Sequence, residues 1–288
     1  TATSDGEVTS PAHGTVITLG TVITYQPNPG YAGPDSFTYN ASNSGGTSAP
    51  ATVTITVSDP LISVSASGSL AAVVGAPYTQ TFSWTGGTAP FSGFQVTGLP
   101  AGLAITGTTA NSVTISGTPT QAGSFSLNAS ASDSSTGNGP FAVGQAFTLT
   151  VAPPLLNLAP GAGVVTAAYG TPFSQSFTAS GGIGGYSYSI TGTLPPGLSL
   201  AGDTIAGTPT TPGSYNISIT ATDIGATGAG APFSVTQAYT IDVPSPMIVL
   251  SPAALANGTA AVPYVQTITA SGGVTPLTFT LGNGTLPA

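Results

Sequence analysis

The chain has 288 residues, with no Lys, no Arg, no Cys, eight Asp or Glu and a single His, for a net charge of −8. The missing cations exclude phosphate-contacting nucleic-acid binders, attraction to anionic lipid, Schiff-base or isopeptide lysine chemistry, and cleavage by trypsin. The missing cysteines exclude disulfides and thiolate metal sites.

No apolar run approaches the roughly 20 residues of a spanning helix, so no membrane insertion is expected within the segment. The eight carboxylates are dispersed rather than gathered in a tail. Gly and Pro are abundant, at 40 and 26 residues. Even so, 40% of the chain is hydrophobic and much of that falls in alternating runs, enough to build cores.

In chain order, residues 1–59 open with Asp5, Glu7 and the lone His13, then alternate at Val16, Thr18 and Val22 through Tyr25. Pro27, Gly30, Tyr31, Gly33, Asp35, Phe37 and Tyr39 follow, and residues 51–57 form a closing strand. Only the later strands of a β-sandwich are expected here. Residues 60–152 are a complete unit, and residues 153–244 repeat it. Residues 245–288 begin it again with Val262-Pro-Tyr264, Ile268 and Gly272-Gly273, and reach Leu286-Pro287-Ala288.

Two stretches carry the repeat. Residues 117–133 read GTPTQAGSFSLNASASD, and residues 207–223 read GTPTTPGSYNISITATD. In the first, Phe125, Leu127 and Ala129 alternate with Ser126, Asn128 and Ser130. In the second, Tyr215, Ile217 and Ile219 alternate with Asn216, Ser218 and Thr220. A period of two puts one set on a core face and the other in water, which is a half-buried antiparallel strand. Phe125, Leu127, Phe147, Phe177, Tyr215, Ile217 and Tyr239 are expected in cores, with Tyr215 and Ile217 at the places of Phe125 and Leu127. A period this long in an all-β pattern means whole sandwich domains in series. The junctions around Asp59-Pro60, Pro153-Pro154 and Pro244-Ser-Pro246 are short and Pro-rich, so domains arranged end to end as a semi-rigid rod are expected.

The order G-x-P-aromatic, S-G-G, L-P-x-G-L, G-T-P, G-S-aromatic and A-x-D resembles the Ig-domain repeats of large bacterial cell-surface adhesins and autotransporter passengers. The string YQPNPGYAGPDSFTYNASN resembles their cadherin-like or Ig-like repeats. The resemblance implies an all-β fold of tandem Ig-like sandwiches of about seven strands each. It also implies an extracellular or bacterial cell-surface location and a structural stalk in a fibre or adhesin, without an enzyme activity or a cofactor. Partners would be neighbouring domains, identical chains, or a host or cell-surface glycan or protein.

Site candidates are few. His13 is a lone imidazole beside a turn and is expected to be a turn residue rather than a catalytic base. Asp133 and Asp223 stand at the head of Gly-rich loops, and Asp59 at a junction. These are the carboxylates a calcium ion would use, and cadherin-like modules suggest calcium by resemblance. The Asp-rich junction motifs are absent, however, and Asx-turns are the expected role. Trp84 shares a face with Phe82 and is expected in the core. The alternative is an exposed sugar-stacking platform in a glycan-binding module, with Phe91, Tyr186 and Tyr188 as loop aromatics. Sequons at Asn40, Asn128, Asn216, Asn257 and Asn283 are matches of the kind this composition produces by chance.

The two ends form the last expectation. A part sandwich exposes an apolar face and a strand edge. Either neighbouring sequence completes residues 1–59 and 245–288, or residues 245–288 of one chain complement residues 1–59 of the next in a head-to-tail filament.

Overall fold

The computed structural model describes residues 3–280 and residue 282. The motif at Leu286-Pro287-Ala288 and the sequon at Asn283 lie outside the described residues. The fold is all-β, with no helix among the described residues. It divides into two compact units. One comprises Thr1–Pro154 with Gly225–Ala231, and the other Leu155–Ile224 with Pro232–Ala288.

In the first unit, Tyr31–Asn43 pairs antiparallel with Thr3–Thr9 on one side and Ala51–Val57 on the other. A hairpin, Gly14–Leu19 with Val22–Pro27, stands beside this sheet. The same unit then builds a two-sheet sandwich. One sheet runs Ser92–Thr97, Gln121–Ser132, Ala142–Ala152, Ala71–Val73. The other runs Leu103–Thr108, Ser112–Gly117, Tyr78–Thr85, Ser63–Ala66. The inner faces meet in a core of Phe82, Trp84, Val113, Ile115, Leu127, Ala129 and Leu149, all essentially without solvent contact.

The second unit repeats this plan. Gly163–Thr166, Phe233–Val243, Gly213–Asp223 and Tyr186–Gly192 form one sheet, and Phe173–Ser176, Thr204–Gly207 and Leu198–Ala201 the other. Its core gathers Leu158, Phe177, Ile205, Ile217, Ile219, Tyr239 and Ile241. Register confirms the equivalence. Leu127 pairs with Phe147 and Ile217 with Tyr239, while Phe125 pairs with Leu149 and Tyr215 with Ile241.

Alternation overstated burial at three positions. Phe125, Phe147 and Tyr215 are half-buried rather than buried. Phe125 and Tyr215 each sit two residues after a glycine of unusual conformation, Gly123 at φ 145° and Gly213 at φ 150°. Each ring folds back over that glycine at the end of the sandwich. The Tyr215 hydroxyl donates to the Thr211 carbonyl at 3.2 Å. Phe147 packs against Phe82 with ring centroids 4.9 Å apart and planes tilted by 43°, and covers the core edge rather than entering it.

Residues 248–280 contain only the pair Ile248–Ser251 with Thr269–Gly272. Ile248, Val262, Tyr264, Val265, Ile268 and Phe279 are exposed there.

Candidate functional site

The polar groups that matter lie at the strand ends. Asp133 closes Gln121–Ser132 and is 2% exposed. Its Oδ1 accepts from the backbone N–H of Phe141 at 2.8 Å and of Ser135 at 3.3 Å. Its Oδ2 accepts from the Thr88 N–H at 3.0 Å and from the Ser135 hydroxyl. Burial pushes this carboxyl up. The Ser135 hydroxyl and the three backbone donors outweigh burial and hold it below its ordinary value.

Asp223 occupies the same register position in the second unit. It is fully buried, and its Oδ2 accepts from the Ile183 N–H at 2.8 Å. The preceding Gly87 and Gly182 admit these carboxylates closely. A Cβ on Gly182 would lie 2.0 Å from the Asp223 Oδ2. In both copies the aspartate accepts from the N–H just after the Gly-Gly turn, Thr88 in the first and Ile183 in the second, and so staples that turn to the end of the long strand. Tyr31–Asn43 carries Asn43 at that position, and its Oδ1 accepts from the Gly45 N–H at 2.8 Å as an Asx-turn.

Asp35 staples a different turn. It accepts from the N–H groups of Ala12, His13 and Ser36 and from the Tyr25 hydroxyl, all between 2.9 and 3.0 Å. Burial again raises this carboxyl, and the Tyr25 hydroxyl with the three backbone donors brings it below its ordinary value. Burial and the adjacent Asp35 push Tyr25 up to about 12. His13 is exposed, stacked on Tyr31 at 4.0 Å between centroids. It is a turn residue, as the sequence suggests.

The stapled loops carry a second feature. Thr136–Gly137 adds as a short parallel strand to Tyr31 and Ala32. The Thr136 N–H donates to the Gly30 carbonyl and the Asn138 N–H to the Ala32 carbonyl, each at 2.8 Å. Thr227–Gly228 adds in the same sense to Gln121 and Ala122. There the Thr227 and Ala229 N–H groups donate to the Thr120 and Ala122 carbonyls, each at 3.0 Å. Both pairings lie inside the first unit, to which Gly225–Ala231 belongs.

Each receiving edge ends at a glycine of similar backbone, Gly33 at φ 138° and Gly123 at φ 145°, a region closed to other residues. Each incoming loop needs its own glycine. A Cβ on Gly137 would lie 2.1 Å from the Ala32 carbonyl oxygen, and one on Gly228 would lie 2.2 Å from that of Ala122. Sequence reasoning read these segments only as Gly-rich loops. The available signal was the Thr-Gly dipeptide that follows each stapling aspartate.

The glycan platform at Trp84 is corrected by its burial. The indole is 1% exposed, edge-on to Phe94 at 5.1 Å and near Phe91 at 6.4 Å, so no sugar can reach its face. Phe91 is buried as well, and Tyr186 and Tyr188 are half-buried. In the second unit Ala179 replaces Trp84, and Tyr188, in the register of Phe94, accepts from the Ala179 N–H at 2.9 Å.

For calcium, the structure does not bring Asp59, Asp133 and Asp223 together. Asp59 is exposed, and no cluster of three metal-ligating side chains occurs among the described residues. The Asp133 oxygens already accept four hydrogen bonds, so the group anchors its loop. A shallow groove of about 420 Å³ on the second unit is lined by Val164, Thr191, Asn216, Ile217 and Tyr239 and holds no carboxylate or imidazole.

Two-sheet sandwiches repeated along the chain, each with an aspartate anchoring the Gly-Gly turn to the end of its long strand, define a tandem Ig-like β-sandwich protein. Residues 56–152 and 154–244 each match the family described as Putative Ig domain, and the chain belongs to that family. Residues 1–56 match the family described as Bacterial Ig domain.

No curated protein matches the chain. Among solved structures, it is similar to an endo-fucoidan hydrolase of glycoside hydrolase family 107, at 19% identity and TM-score 0.32, covering 84% of this chain and 38% of that one. The chain thus spans well under half the length of that enzyme. It is also similar to an I-band fragment of titin, at 11% identity and TM-score 0.32, covering 84% and 87% of the two chains. A third similar structure is cadherin-like domains 1 to 4 of zebrafish RET, at 10% identity and TM-score 0.31, covering 84% and 65%. Bacterial Ig-like domains are structural repeats typical of extracellular and surface proteins.

Proposed function

We propose that this chain is a stalk region of a bacterial extracellular or cell-surface fibre or adhesin, in which stacked sandwiches space a partner-binding element from its anchor. The observation that carries the reading is the repetition of one sandwich with one stapled loop, in a chain whose polar groups serve loop geometry. No catalytic step is assigned to any residue. The saturated carboxylate of Asp133 and the stacked His13 both act as fixtures of turns. The absence of Lys and Arg suits an exposed tract, since trypsin-like proteases find no cleavage site.

Solution scattering tests the reading. A compact globule of this length has a radius of gyration of about 19 Å. Sandwiches in line, each roughly 35 Å long from strands of about ten residues, give roughly 30 Å or more. The larger value is expected, and the compact one would overturn the stalk.

A further inference from the structure

The exposed edge at residues 210–213 has the anatomy of the two edges that receive Thr-Gly loops. Gly213 has φ 150°, matching Gly33 and Gly123. It opens its long strand in the same register, paired with Val243 as Gly33 pairs with Val57 and Gly123 with Val151. Counted back from these glycines, the carbonyls of Thr210 and Pro212 correspond in register to the acceptors Gly30 and Ala32 of one edge and Thr120 and Ala122 of the other. Burial separates the three sites. Ala32 and Ala122 are 1% and 3% exposed beneath their loops, whereas their counterpart Pro212 is only half-buried, and Thr210, Thr211 and Gly213 around it are exposed where Gly30, Tyr31 and Gly33, and Thr120, Gln121 and Gly123, are buried or half-buried.

We propose that residues 210–213 form a docking edge for the Thr-Gly loop of a further repeat of this family. The occupant follows from chemistry shown twice in the first unit. The loop must present two N–H groups flanking a residue with positive φ and no side chain. Gly137 at φ 79° and Gly228 at φ 94° do so, and a Cβ at either would strike the receiving carbonyl. Recognition is by backbone, through strand addition, so it requires no charge, in keeping with a chain that has almost none. Pro212 offers its carbonyl but no N–H. This third edge therefore keeps the two acceptors and lacks the donor of a full parallel ladder, so a lone loop should bind at millimolar rather than micromolar concentration.

The proposal rests on the repeat-array reading, and amide NMR of the full chain tests it separately from overall shape. The first measurement is hydrogen exchange. The amides of Thr136, Asn138, Thr227 and Ala229 should be protected. Gly137→Ala should accelerate exchange of the first pair, and Gly228→Ala of the second, by about tenfold or more. The core amides of Leu127 and Ile217 should be unchanged in both, which also shows that the variants fold.

The second measurement is titration with a head-to-tail cyclised peptide of sequence SDSSTGNGPFA, copied from residues 132–142. Shifts confined to the amides of Thr211, Gly213 and Ser214 are expected, and the peptide with Ala for its first Gly should give none. No shift at several millimolar, equal shifts from both peptides, or unchanged exchange in the glycine variants would each overturn the proposal, whatever the scattering shows.

Discussion

Asp133 and Asp35 hold negative charge in buried positions because backbone N–H groups and a hydroxyl point at each. Their folded-state carboxyls lie below the ordinary value, so their contribution to stability is complete above the unfolded carboxylate pKa of about 3.9 and is lost as pH falls through the lower folded values. Tyr25 works in the opposite sense. Its folded pKa of about 12 lies above the unfolded one, so its contribution is complete below about pH 10 and is lost as pH rises through 12. With no Lys, no Arg and one His, little else titrates between. Melting temperature measured against pH should be flat from about pH 5 to 9 and fall at both extremes. A slope within that plateau would contradict this account.

Trp84 and Ile217 separate packing from polarity. Ile217→Ala in the second unit should cost about 2–5 kcal/mol in denaturant unfolding. Trp84→Ala should cost about 3–5 kcal/mol. Trp84→Phe should cost far less than that, because the buried indole Nε1 has no hydrogen-bond partner and its removal leaves no group orphaned. A large loss in Trp84→Phe would mean that the N–H is satisfied.

At the scale of the element, period-two alternation located the long strands, and Leu127, Ile217 and Tyr239 lie where it puts them. It erred at Phe125 and Tyr215 because alternation assigns a face and says nothing of distance from the sandwich end. The aspartates were legible as turn-formers from their place before Gly-rich loops. What they hold was not. The Thr88 and Ile183 partners follow the Gly-Gly turns, some forty residues away in sequence. The Thr-Gly strands are two residues long, far below any periodic signal; the Thr-Gly dipeptide after each aspartate and the glycines Gly33 and Gly123 at the receiving edges were the traces they left in the sequence.

At the scale of the molecule, residues 248–280 present Val262, Val265, Ile268 and Phe279 to solvent. Apolar surface of this kind drives association. Sedimentation velocity of the 288-residue chain should therefore show concentration-dependent species, and the exposed Val265→Asp variant should shift the distribution toward monomer. A monomer at all concentrations would mean that this segment covers itself in solution.

The two Thr-Gly joints also bear on how such a chain can change in length. Each receiving edge is backbone carbonyl beside a φ-constrained glycine, and each incoming loop is two N–H groups around another glycine, so the two joints share one backbone pattern. Excising one whole repeat, with cuts at equivalent points, would bring Thr227-Gly228 to the edge at Tyr31 and Ala32 with donors and acceptors still in step. Side-chain-specific joints would have to be re-matched after every such event. Joints written in the main chain ask for a glycine in the loop and a glycine after the edge, two requirements that travel with each whole repeat when an array is lengthened or shortened at the level of the gene.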